Sequence, residues 1–172
     1  MSEIIYIGID NGITGAVAKI YPDGKITLSK MPIKKIFGVE YIDETQLINL
    51  LTEDGLGCLV VFEQGQKNPM FGTKGNFSNG YSFGVVNTVL SLGGIPHILI
   101  NPRTWQGVIF KDIKGRLKNK KNANGITTKE ASIEVCRRLY PSISLYPTPR
   151  HKKPCDGFAD ALLMATYAKW EK

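Results

Sequence analysis

Two short, continuous apolar runs constrain this chain more than any other feature, because each of them stops at an acid. Residues 4–10 read IIYIGID and Cys58–Glu63 read CLVVFE. Apolar runs of this length are expected of strands covered on both faces, which places them inside an α/β sheet. If the two strands lie parallel and adjacent, Asp10 and Glu63 emerge together at the edge where open α/β sheets bind ligands. Turn chemistry offers a competing reading of Asp10. Asn11-Gly12 suits the positive φ angles of a two-residue hairpin loop, and Asp is a common neighbour of such turns.

The remaining pattern is strands first and helices later. Residues 4–10, 16–21 and 25–31, separated by NGITG and PDG, predict an antiparallel three-stranded meander. Asp43 can cap a helix whose buried side is Leu47, Ile48, Leu50 and Leu51. The stretch 64–80, rich in Gly, Asn and Lys and without periodicity, predicts a mobile loop. A helix over 81–92 and another buried strand over 95–100 are expected after it. Residues 111–121 carry Lys111, Lys114, Arg116, Lys118, Lys120 and Lys121 against Asp112 alone, and predict a solvated loop. Thr127 or Thr128 can cap a helix running to about Leu139, and Asp156–Trp170 predicts a last helix packed on the sheet. With 172 residues, 42% of them hydrophobic, and no repeat or low-complexity linker, one domain over 1–172 is expected.

Composition narrows the function classes. Lys and Arg number 22 against 15 Asp and Glu, and the net charge of +7 favours a polyanionic partner. Cys58, Cys136 and Cys155 are scattered, with neither a CxxC pair nor zinc spacing, which suits a reducing compartment. No apolar run approaches the roughly 18 residues that span a bilayer, and MSEIIYIG has no basic leader, so a soluble, cytoplasmic protein without membrane partners is expected.

Two further acids, Asp156 and Asp160 in CDGFADALLMA, lie four residues apart and share a helix face about 5–6 Å from each other. Like charges so placed repel unless a divalent cation is held between them. The plainer reading makes Asp156 an N-cap after Pro154 and Asp160 a solvated polar position. Against it, ADALLMA is otherwise apolar, and an unpaired carboxylate on a buried helix is costly. Four carboxylates brought together would supply the hard oxygen ligands that Mg²⁺ prefers, in the arrangement of two-metal phosphoryl transfer.

The succession IGIDNGITG, VVFEQ, WQ within NPRTWQGVIF, and DGFADALLMA resembles the RuvC family of Holliday junction resolvases, especially its phage-type relatives, within the RNase H-like superfamily. The similarity runs in order over most of the chain, although each motif alone is short. The resemblance implies an α/β, RNase H-like fold with a five-stranded mixed sheet and helices on both faces. It also implies a homodimer that nicks two strands of branched DNA with two Mg²⁺ ions per site, Mn²⁺ substituting, and no nucleotide cofactor. Asp10 matches the family's first-strand aspartate, Glu63 its fourth-strand glutamate, and Asp156 and Asp160 its C-terminal acidic pair. Their spacing of four is that of phage-type members, whereas cellular resolvases often use three. A phage-encoded protein of this kind would act in the host cytosol.

Other residues carry two readings each. The cations Lys111, Lys114, Arg116, Lys118, Lys120 and Lys121 are either solvated or a clamp for DNA phosphates. Phe71 and Phe77 follow Glu63 in the Gly-rich stretch, where they could stack on unpaired bases or fold back into the core. His97 reads as a structural strand residue, His151 as a neighbour of the acids, and Trp105 as core. Rival functions are an RNase H-like nuclease acting on structured RNA, a non-catalytic DNA-binding module, and a sugar-kinase or actin-like phosphate turn. The last needs a second domain that 172 residues do not hold, and four acids in a DNA groove would weaken a pure binding module.

Overall fold

In the computed structural model, residues 4–65, 69, 72–119 and 122–171 are described. Strand β1 (Ile5–Asp10) pairs antiparallel with β2 (Ala16–Ile20), which pairs antiparallel with β3 (Ile26–Lys30). On its other side β1 pairs parallel with β6 (Cys58–Glu63), and β6 with β7 (His97–Ile100). The result is a five-stranded mixed sheet in the order β3-β2-β1-β6-β7. Between β3 and β6 lie a separate hairpin, β4 (Ile33–Ile36) with β5 (Val39–Ile42), and helix α1 (Glu44–Thr52). Helices α2 (Thr73–Leu92), α3 (Pro102–Ile109), α4 (Thr128–Leu139) and α5 (Asp156–Trp170) complete the chain, with a 3-10 turn over Lys111–Arg116.

The two-residue period of a strand sorts β1 between two apolar layers. Ile5, Ile7 and Ile9 join Leu47, Leu51, Val86 and Leu90 of α1 and α2 on one face. Tyr6 and Gly8 turn to the other, where Trp105, Val135, Ala161 and Ala165 of α3, α4 and α5 pack. Helices thus cover both faces, as the resemblance implies. A Cβ on Gly8 would lie 1.9 Å from the Ala161 carbonyl oxygen and 2.6 Å from the Ala165 nitrogen. Helix α5 therefore rests directly on the strand backbone, on a floor of Gly8, Ala16 and Ala18 that larger residues would lift.

Several elements differ from expectation. The hairpin loop between β1 and β2 spans 11–15, the NGITG of the expected meander, and not the two-residue turn of the competing reading of Asp10, because β2 begins opposite Asp10 at Ala16. Gly12 is not among the positive-φ glycines, and the loop closes by the Gly15 nitrogen donating to the Gly12 carbonyl at 2.8 Å. Helix α2 starts at Thr73, inside the stretch expected as loop. Its first turns are largely exposed, so they extend cooperatively from the packed half around Val86 and Leu90. Strand β7 is an edge strand with Ile98 42% and Leu99 44% exposed, not a buried one.

Residues 111–119 are more ordered than a solvated loop, since the 3-10 turn buries Ile113 and Leu117 bridges to Ile126. Asn101 caps α3, with Pro102 at its first turn. Neither α3 nor the β4–β5 hairpin is expected from the sequence pattern. All three cysteines are free, and no helix among the described residues is long and apolar enough to cross a membrane.

Candidate active site

Asp10 and Glu63 close neighbouring parallel strands. The register Ile9 with Phe62 puts the two acids side by side at the C-terminal edge of β1 and β6, and strand alternation turns both toward the α5 layer. Asn11, buried, reinforces the junction by donating from Nδ2 to the Glu63 carbonyl at 3.5 Å. Trp105 of α3, fully buried, donates from Nε1 to Glu63 Oε1 at 2.8 Å and so fixes the direction of that carboxylate. Its expected place in the core holds, with this bond in addition.

The other two acids arrive on α5. The helix begins with Cys155 in the N-cap position, so Asp156 is its first residue rather than its cap. A Cβ on Gly157 would stand 2.9 Å from Asp10 Oδ2 and 3.4 Å from the Gly15 Cα. Only glycine lets the first turn of α5 lie this close to the β1–β2 loop and its aspartate. One turn on, Asp160 shares the α4–α5 layer with Ser132, whose buried Oγ has no partner at hydrogen-bond geometry.

Electrostatics bind the four acids into one group. Burial, then the charges of Glu63 and Asp156, push the Asp10 carboxyl up to about 6. Burial and the charges of Asp10, Glu63 and Asp156 push Asp160 up to about 7, with Ser132 holding the shift back. Glu63 is raised by burial, against the Trp105 bond. Asp156 goes the other way. Burial would raise it, but an ion pair with Lys129 and nearby backbone N–H groups outweigh that and lower it. Lys129, in the first turn of α4, is itself raised by that bond and also senses Asp160 and Asp10.

Among the described residues, no three His, Cys, Asp or Glu side chains form a ready-made metal cage. The charges converge although the ligating atoms do not. The donor chemistry fits a hard divalent cation, because all four groups are carboxylates and their mutual repulsion is what such a charge relieves.

The remaining candidates are dispersed. Phe77 lies on α2 rather than in a loop, 75% exposed. Lys111, Lys114 and Arg116 belong to the 3-10 turn, where Arg116 is bound to Glu134 at 2.5 Å, and Lys118 follows it. Phe71, Lys120 and Lys121 lie outside the described residues. His97 bonds through Nδ1 to the Ile95 carbonyl, a structural contact as expected. His151 is exposed and pairs with Thr148 in its own connector. Sequence reasoning missed Lys129 and Ser132, which no local pattern marks, since both reach the acids only through the packing of α4 on α5.

Neither a protein-family model nor a curated protein matches the chain. Solved structures do. A Thermus thermophilus RuvC in complex with a Holliday junction substrate superposes with TM-score 0.57 at 13% identity, covering 97% of this chain and 94% of that one. A second Thermus thermophilus RuvC structure gives 0.52 at 17% identity over 98% and 97%. The yeast mitochondrial Holliday junction resolvase Ydc2 gives 0.50 at 16% identity over 96% and 77%. The chain has the RuvC fold. Near-complete coverage in both directions against RuvC means that the mixed sheet and the layers on its two faces correspond as a whole.

Proposed function

We propose that this chain is a metal-dependent endonuclease that cleaves branched DNA such as Holliday junctions, acting as a homodimer through paired nicks. The observation that carries the reading is the electrostatic coupling of four acids from the ends of β1 and β6 and the first turns of α5, with Asp10 and Asp160 held well above the usual carboxylate range by burial and by the neighbouring acids. A site without a cationic ligand has no use for that repulsion.

Asp10, Glu63, Asp156 and Asp160 would hold two Mg²⁺ ions, with Mn²⁺ able to replace them. Bound there, the metals supply a water activated for attack on phosphorus and stabilise the departing oxygen. The chain's own groups set the geometry. Trp105 aims Glu63, Gly157 lets α5 close on Asp10, and Lys129 holds Asp156 in its ionised form. Lys111, Lys114 and Lys118 approach DNA phosphates from the segment before α4, and Phe77 offers an exposed ring near the start of α2 for stacking on bases.

The test is cleavage of a synthetic four-way junction with Mg²⁺, with EDTA, and with structured RNA as competitor. The expected result is symmetric nicking that requires Mg²⁺ and favours the junction. Undiminished cleavage in EDTA would sink the metal reading, and a preference for the RNA would sink the branched-DNA reading.

A further inference from the structure

The connector between α4 and α5 carries a second cluster of charge, at the opposite end of the acid scale from the site it leads into. Residues 140–155 contain no Asp or Glu, yet Arg150, His151, Lys152 and Lys153 stand in succession within them. Lys129 meets Asp156 at the starts of α4 and α5, while Tyr140 meets Thr166 toward their ends at 2.8 Å, so the two helices run parallel. The connector must then travel back along the molecule, and its basic residues are the last to arrive at the acidic edge. At no more than about 3.6 Å per residue, Lys153 lies within roughly 11 Å of Asp156 and Arg150 within about 22 Å, measured along the chain.

These cations differ from those held in ion pairs, and in this they are like Lys111, Lys114 and Lys118. Lys19, Lys34, Lys35, Arg116, Lys129 and Arg138 are each ion-paired. Arg150, Lys152 and Lys153 are exposed, and among the described residues none of the three has an acidic partner.

The connector is also held in shape. Cys155 donates its backbone N–H to the Leu145 carbonyl at 2.8 Å, and the His151 N–H donates to the Thr148 carbonyl at 3.1 Å. The His151 ring pairs with Thr148 Oγ1 at 2.8 Å, and Pro147, Pro149 and Pro154 restrict the backbone around them. Charges displayed on a restricted backbone lose less entropy when a ligand orders them.

We infer that Arg150, Lys152 and Lys153 form a phosphate clamp on the connector, gripping the backbone of the substrate strand next to the scissile phosphate. The inference rests on the nuclease reading of the acidic edge. A cluster of carboxylates repels the polyanion it must approach, and unneutralised cations a few residues away offset that repulsion where it is strongest. A strand presents one phosphate per 3.4 Å of helix axis, so the clamp itself, no more than about 11 Å from Arg150 to Lys153, spans roughly three phosphates, all within about six of the acidic edge.

The test is a salt titration of binding for the wild type and for the triple variant Arg150→Ala, Lys152→Ala, Lys153→Ala. It is run in Ca²⁺ on a four-way junction and on a linear duplex of equal length, and circular dichroism confirms the fold. Removing one cation from a phosphate lowers the slope of log affinity against log salt by about 0.9, so a fall of about 2 to 3 is expected on the junction. Lys169→Ala, at the far end of α5, should leave the slope within about 0.9 of the wild type.

Ethylation interference on the junction should then lose its signals beside the cut in the triple variant. An unchanged slope on both DNAs overturns the clamp, as does interference that disappears only at phosphates far from the cut. If the wild type binds duplex and junction equally, the branched-DNA reading fails, while the change of slope on duplex still decides the clamp.

Discussion

The buried carboxyls give the residue scale its clearest consequence. Asp10 and Asp160 titrate near 6 and 7 in the folded protein against an ordinary value of 3.8. Above the ordinary carboxylate range and up to about pH 7, these two groups hold protons in the folded state that they lose in the unfolded chain, and the stability they contribute falls as pH rises through that window. The melting temperature should climb on acidification from pH 8 to 5. At pH 8, Asp160→Asn should be more stable than the wild type by on the order of 1–2 kcal/mol, because the substitution removes a buried charge facing three others. Mg²⁺ should raise the wild-type melting temperature at pH 8 and raise that of the variant much less, since only the folded site binds it. Scanning calorimetry at the two pH values, with and without Mg²⁺, checks all three effects. A melting temperature that rises with pH over this range would mean that burial and the neighbouring acids do not raise these two carboxyls.

At the scale of elements, the site depends on how closely α5 approaches β1. Gly8→Ala would drive a methyl group into the Ala161 carbonyl, so the helix must shift outward and carry Asp156 and Asp160 away from Asp10. Overpacking of this kind costs about 1–3 kcal/mol. The variant should remain folded by circular dichroism while losing cleavage by orders of magnitude; near wild-type cleavage would show that the seating of α5 is not what assembles the acids. A different strain sits at the tip of the β4–β5 hairpin, where Phe37 adopts φ 50 and is fully exposed. A bulky residue in the left-handed region is unfavourable, and Asn before Gly38 is a preferred pair for such a turn. Phe37→Asn should raise the melting temperature by about 2–4 °C, as expected for roughly 1 kcal/mol in a chain of this size; no gain in a thermal melt would place the strain elsewhere. The same two elements show what the sequence could reveal. Strands β1 and β6 were legible from continuous apolar runs, and their terminal acids from residue type alone. The hairpin was not, because Phe-Gly carries no turn signal, and the start of α2 was hidden by Gly75 and Gly80 in turns that form by extension from a packed segment. Helix α3 announces itself through Asn101-Pro102, a start signal outweighed by the short length that follows. Lys129 and Trp105 touch the acids only through tertiary packing, which no spacing encodes.

For the whole molecule, paired nicks across a two-fold junction need two sites related by two-fold symmetry. One surface suits the contact between copies. A groove of about 660 Å³ between α1 and α2 is lined by Ile48, Gly80, Tyr81, Gly84, Val85 and Leu92 among others, and Leu92 is 85% exposed at its end. Gly80 and Gly84 lie one turn apart and would let a second helix come close, while the exposed leucine gains by leaving water. A Cβ on Gly84 meets nothing within 4 Å, so a large side chain there leaves the single chain intact. Gly84→Arg should accordingly sediment as a folded monomer at micromolar concentration where the wild type sediments as a dimer. On a junction set in a supercoiled plasmid, the wild type should release linear product through two nicks within one binding event. The variant should accumulate the singly nicked circle, since its second cut must wait for an independent encounter. A wild type that sediments only as monomer would remove the dimer from the proposed mechanism. A variant that stays dimeric and still cuts in pairs would move the interface away from α2.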